Sequence, residues 1–295
     1  MSSIRNDKMT SETQDRRIET QYEINAPVAD VWRALTDADW LTNWFPLEAR
    51  ITPGTNGIPG VGGSIWMAWG GHGSETEIDI WEENKHLRLI RSIPADPDLK
   101  GTIAPLEVAQ DFYLEAQGGS TVLRLVHAGF STDASWDWEY NATTRGWKFE
   151  LGGLKHYLEK HNGVKRIVVQ ACHILAGISY EVAWSALFGA ACLLSGGSIE
   201  GLRQGDHFDF TTSAGQTFRG RAQIINPPQD FTGTLENFND ARLRVAIDKS
   251  CDMPGEQSVT LFISTYDLPQ EKREALQQSL EAVLESMASA VPASS

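Results

Sequence analysis

Apolar positions recur along this chain at two periods, and the periods follow one another in the same order twice. Glu19 to Ile24 alternates like a short strand. Pro27 then stands where the first turn of a helix tolerates it, and Val28, Val31, Trp32 and Leu35 follow at helical spacing. The aromatic run Trp40 to Phe45 predicts a second short helix or a turn, and Pro53 to Gly63 predicts a loop. Gly63 to Ala68, Thr76 to Trp81 and His86 to Ser92 read as consecutive antiparallel strands. Glu107 to Ala116 and Ser120 to Ala128 form a hairpin across Gln117-Gly118-Gly119. A long amphipathic helix closes the series, with Trp147, Leu151, Leu154 and Leu158 on one face and a stop near His161-Asn162-Gly163.

The second half repeats the order. A strand over Ile167 to Gln170 leads to a helix carrying Val182, Trp184, Leu187 and Phe188. Gly205 to Thr211 and Thr217 to Ile225 form a hairpin, and Asp230 to Leu235, Ala241 to Ile247 and Ser258 to Thr265 add strands. The last helix carries Leu276, Leu280, Val283, Leu284 and Met287 on one face, with Asp267 as its expected N-cap and Pro269 in its first turn. Trp32 and Trp184 share the local pattern Trp-x-Ala-Leu. The prediction is an α+β chain of two tandem units: a flexible segment 1–17, a first domain 18–163 and a divergent second domain 164–290. In each, a curved antiparallel sheet buries its apolar face on the long C-terminal helix. A sheet gripping a helix encloses a wedge, and where side chains do not fill it the wedge is a largely apolar pocket.

Composition sharpens this picture in one place. Nine of the ten tryptophans precede residue 150, so the two interiors differ and the indole-rich one is the expected pocket. The chain of 295 residues carries a net charge of −14, with 15 basic against 24 acidic residues up to Gly163 and 10 against 15 beyond it. Without a basic stripe, binding to nucleic acid or to an anionic membrane is not expected. The three cysteines, Cys172, Cys192 and Cys251, form no Cys-x-x-Cys pair, and no leader or apolar span is visible, which points to reduced thiols in a cytoplasm.

Four segments carry a family resemblance across residues 20–160. Ile24-Asn25-Ala26-Pro27 with Val31-Trp32-Arg33-Ala34-Leu35-Thr36 resembles the opening strand and helix of the START-like superfamily called SRPBCC. The branch homologous to the Aha-type activators of the Hsp90 ATPase is the nearest. Trp44-Phe45-Pro46 resembles its aromatic turn, Leu123 to Phe130 its last strand, and Gly146-Trp147 with Leu151, Leu154 and Leu158 its closing helix. The second unit fits more loosely, lacking the Gly-Trp pair and the strand-ending histidine. The resemblance implies a helix-grip fold and either a lipophilic-ligand domain or a regulatory module that meets a chaperone or another protein.

The candidate ligand wall is Trp66, Trp81, Phe112, Leu125, His127 and Trp147, with Trp44 and Trp69 near the entrance; only one of Trp66 and Trp69 can point inward. Leu123, Leu125 and His127 share a strand face, so His127 points to the cavity, where an imidazole can bind a ligand or move a proton. That opens an alternative, a cyclase- or dehydratase-type enzyme using His127, for which the sequence names no second polar group. Glu75, Glu77 and Asp79 make a solvated strand face, and of Arg88, Arg91 and Arg124 one is free to reach inward to an acidic ligand. His156 and His161 fall in the last turns of the closing helix, where a cation suits the dipole. No His-x-x-x-His or similar cluster exists, so neither metal nor cofactor is expected. The Gly57 to Gly63 run precedes a strand rather than a helix and fails as a phosphate loop.

Overall fold

The computed structural model describes residues 16–70, 72–93, 106–189, 198–250 and 256–291. Cys192, Cys251 and residues 1–15 lie outside the described residues. The first sheet has seven strands: β1 (Arg16–Ile24), β2 (Glu48–Thr52), β3 (Ser64–Trp69), β4 (His72–Glu82), β5 (His86–Ile93), β6 (Leu106–Gln117) and β7 (Ser120–Phe130). Every neighbouring pair is antiparallel, in the order β1-β7-β6-β5-β4-β3-β2. Helices α1 (Val28–Thr36) and α2 (Ala38–Leu41) connect β1 to β2. Pro27 stands at the N-cap of α1, which buries Val31, Trp32, Ala34 and Leu35. The Asp37 side chain accepts from the Asp39 and Trp40 amides and so starts α2. Helix α3 (Asp137–Lys160) closes the domain, as the apolar spacing requires, but begins ten residues before Trp147.

The second sheet repeats this winding with one strand fewer. Its order is β8-β13-β12-β11-β10-β9, from β8 (Arg166–Leu175), β9 (His207–Thr211), β10 (Thr217–Asn226), β11 (Asp230–Leu235), β12 (Ala241–Lys249) and β13 (Gln257–Tyr266). Helix α4 (Tyr180–Leu187) follows β8 as α1 follows β1, and α5 (Gln270–Ala290) closes the chain. Both sheets pair their first strand with their last. This is the helix-grip architecture twice over, α+β throughout. Asp267 is not the N-cap of α5: that position is Pro269, no side chain caps it, and Asp267 has φ +47° in the connecting turn.

The two cores differ in kind. The second is filled by aliphatic residues and phenylalanines, among them Phe208, Phe210, Phe218, Phe231, Leu243, Val245, Ile247 and the α5 stripe Leu276, Leu280, Val283, Leu284 and Met287. The first contains Trp32, Trp44, Trp147 and Tyr157. Between them α3 is a shared layer. One side of it packs on the first sheet. The other meets the face of the second sheet that points away from α5: Phe149 lies edge-on to Phe262, Tyr157 stacks on Tyr266, and the Tyr266 hydroxyl donates to the Asn43 carbonyl.

Charge is buried in this seam. Arg145 donates to Asp230 at 2.5 Å and to Asp248, and Arg244 also reaches Asp230. Burial works against the Arg145 cation, and Asp248 and Asp230 outweigh it, so its pKa lies above the usual arginine value. Arg242 donates to the Phe149 carbonyl and to Gln223, and burial lowers its pKa to about 10. Gly152 and Gly153 make room for it: a β-carbon on Gly153 would lie 2.7 Å from Arg242 Nη1. His156 and His161 are not terminal cations. Both are buried, His156 faces the Asp240 carbonyl at 2.7 Å, and desolvation, helped by Arg242, lowers its pKa to about 3. No helix among the described residues is long and apolar enough to cross a membrane.

Candidate functional site

The wedge between the first sheet and the N-terminal half of α3 is not filled. A hollow of about 260 Å³ opens there, just below the roughly 300–1,000 Å³ of drug-sized ligand sites. Strand parity decides what lines it. On β3, Ile65 and Met67 point inward, which carries Trp69 to the mouth of the hollow, 39% exposed. On β4 the same rule brings in Ser74 and Thr76 and leaves Glu75, Glu77 and Asp79 outside. Arg91 of β5, Gln110 of β6 and His127 of β7 continue the lining, and α3 contributes Thr143, Gly146, Trp147 and Glu150 at helical spacing. Phe45 completes an aromatic bowl, its ring 5.1 Å from Trp69 and 5.2 Å from Trp147.

Two of the expected wall residues, His127 and Trp147, therefore meet at the hollow with Trp69, expected near its entrance. The others do not. Trp66 has the opposite parity, lies under the Arg50 guanidinium at 3.8 Å and covers Gly73 on the outer face. Trp81 packs edge-on to Trp32 of α1, 5.1 Å away. Trp44 is core, 2% exposed, with its indole N–H on the Ala34 carbonyl, and its ring stacks on Phe45. Phe112 and Leu125 are buried beneath the hollow, Phe112 meeting Trp147 edge-on at 5.8 Å. Of the three strand arginines, Arg91 reaches inward, while Arg88 pairs with Asp79 and Arg124 with Glu19.

The polar groups of the hollow are unusually short of partners. The Trp147 indole N–H donates to His127 Nδ1 at 2.9 Å, which fixes the proton of the neutral ring on Nε2. That Nε2 is enclosed and has no partner among the described residues, and neither have Gln110 Oε1 and Glu150 Oε2. Burial, with Arg91 adding to it, lowers the His127 pKa to about 3, so the imidazole is a neutral donor. Burial raises the Glu150 pKa to about 7 against the pull of Arg244, Arg166 and Arg242 from the second domain. Glu150, Gln110 and Phe45 were not among the expected site residues. The 143-146-147-150 spacing marked the face, but its Thr, Gly and Glu do not look like a ligand wall.

No group of three or more His, Cys, Asp or Glu residues is placed to hold a metal among the described residues. Residues 25–159 match the family model described as activator of Hsp90 ATPase homolog 1-like protein. The match lies wholly within the first domain and covers 135 of the 295 residues. The matched segment holds the whole lining of the hollow, and the second domain repeats its helix-grip winding.

Among solved structures the chain is similar to the di-domain ARO/CYC BexL from the BE-7585A biosynthetic pathway. There the identity is 14%, over 95% of this chain and 100% of that one, with a TM-score of 0.41. It is also similar to DynU16 of the dynemicin biosynthetic locus (17%, 92% and 96%, TM-score 0.39). The Aha1 dimer from Colwellia psychrerythraea is similar over half of the chain (22%, 50% and 99%, TM-score 0.39). No curated protein matches the chain.

Proposed function

We propose that the activator-homologue domain binds a small, flat, mostly apolar molecule carrying a hydroxyl or carbonyl group, held in the hollow between the first sheet and α3. The observation that carries this reading is the set of three enclosed polar atoms without a partner among the described residues, His127 Nε2–H, Gln110 Oε1 and Glu150 Oε2, on residues that line one aromatic bowl. Leaving such a group unmet costs about 1–3 kcal/mol, and a guest that meets it recovers that energy. Phe45, Trp69 and Trp147 supply flat apolar contact, and the polar trio reads the guest's orientation.

Gly146 gives the test. It sits mid-helix, it lines the hollow, and a β-carbon there meets nothing within 4 Å. In Gly146→Leu the branched side chain occupies the guest's space, while replacing glycine in a helix gains up to about 1 kcal/mol. Titration of tryptophan fluorescence with 2-naphthol is expected to show saturable binding to the natural chain and at least tenfold weaker binding to Gly146→Leu, whose melting temperature is unchanged or raised. Equal affinity in the two, or no binding to the natural chain, overturns the reading.

A second reading, proton-transfer catalysis, is favoured by Glu150, because a carboxyl that titrates at about 7 inside an apolar site is matched to acid–base work. Glu150 would take a proton from carbon next to a bound carbonyl, and His127 Nε2–H would steady the developing enolate oxygen. Exchange of the α-hydrogens of 2-tetralone with D2O is then faster with the protein than in buffer, and Glu150→Gln removes the acceleration. A rate equal to that of buffer removes the catalytic reading and leaves binding.

A further inference from the structure

We infer that the cleft between the two domains is a second ligand site, selective for a small polar molecule bearing a phosphate or carboxylate group. Two confluent hollows of about 700 and 690 Å³ run between the outer side of α3 and strands β10 and β11, and both are lined by Lys148, Gln204, Gln223 and Ile224. Each is within the range of small-molecule sites, which favour domain interfaces.

The charge of the cleft points to an anion. Its carboxylates are mostly spent on protein cations: Glu159 on Lys155, Glu236 on Arg221, and Asp230 on Arg145 and Arg244. The Lys148 ammonium and the Arg203 guanidinium have no carboxylate within bridging distance among the described residues, and both side chains are exposed. Two cations unpaired among the described residues at one end of the cleft are notable in a chain of net charge −14. Glu23 and Asp240 belong to the other hollow, which puts the anion at the Lys148–Arg203 end.

A buried atom independently marks that end. Thr232 is 1% exposed, lines the hollow, and its hydroxyl has no partner among the described residues. On the cleft side of β11 it stands opposite Arg244, whose Nε is also unmet. Asn141, Thr144 and Asn226 add amide and hydroxyl groups around it. Charge-assisted contacts from lysine and arginine, with a hydroxyl donor below them, form the donor set that phosphate and carboxylate oxygens require.

Calorimetric titration of the full chain with inorganic pyrophosphate and, separately, with citrate tests the site and tells the two anion classes apart. Saturable binding of at least one is expected, weakening as salt is raised. The double variant Lys148→Ala/Arg203→Ala is expected to bind at least tenfold more weakly, and Thr232→Val severalfold more weakly. Both keep the melting temperature and the 2-naphthol affinity of the natural chain, since neither touches the first hollow. Absence of binding by both anions, or unchanged affinity in the double variant, overturns the site, whatever becomes of the reading of the first hollow.

Discussion

His127 and His156 show how one residue type takes a role from its surroundings. Both are buried as neutral rings, with pKa values lowered to about 3 from an ordinary 6.5. The unfolded chain therefore takes up protons between pH 6.5 and 3 that the folded chain refuses. Stability contributed by these rings is complete above pH 6.5 and is lost as the pH falls, by about 1.4 kcal/mol per pH unit for each group. Urea unfolding of His156→Asn between pH 6 and 4 is expected to show a dependence on pH shallower by about that amount; a parallel dependence contradicts it. The position of His127 was legible, because Leu123, Leu125 and His127 alternate cleanly. The choice between Trp66 and Trp69 was not, because Ser64 to Trp69 is apolar at both parities apart from Ser64 and gives no signal of which face is wet. Phe45 escaped notice for a similar reason: the turn after α2 decides which ring of the aromatic run reaches the hollow, and that geometry is not periodic.

At the scale of the element, α3 carries two faces that the sequence announces unequally. Trp147, Leu151, Leu154 and Leu158 declare the side toward the first sheet. The side toward the second sheet contains Arg145, Phe149, Gly152, Gly153 and His156, which reads as a wet surface broken by glycines. Strand β12 misleads likewise: Arg242, Arg244 and Asp248 alternate with core residues as if exposed, yet they face α3. The Gly152-Gly153 pair is the clue to that contact, since two mid-helix glycines cost about 1 kcal/mol each relative to alanine and need a compensating approach. Gly153→Ala is therefore expected to lower stability by about 1–2 kcal/mol in chemical denaturation, where the helix alone would gain. The added methyl must displace a guanidinium held by Gln223 and the Phe149 carbonyl. A stabilised Gly153→Ala would mean that Arg242 moves freely.

Over the whole molecule the layers run sheet, helix, sheet, helix. The tandem plan was readable from the repeated order of strands and helices; the way the units share α3 was not, since it depends on pairs such as Arg145 and Asp230, 85 residues apart. Because the seam buries Phe149, Tyr266 and ionic groups together, the domains are expected to unfold as one cooperative unit, and calorimetry should record a single transition. Removing Arg145 leaves Asp230, itself 95% buried at the side chain, with one partner fewer, at a cost of about 3 kcal/mol. The double variant Arg145→Ala/Phe149→Ala should split that transition in two. Two transitions in the natural chain would show that the seam is weak.

From Ala142 to Glu159 a single residue of α3, Lys148, is exposed. Such a rod has almost no neutral ground: a replacement chosen to suit one neighbour is tested by the other. Divergence within this architecture is then expected to advance by matched changes across layers, and anyone reshaping the bowl for a new guest must work at Thr143, Gly146 and Trp147 while leaving the opposite flank as it stands.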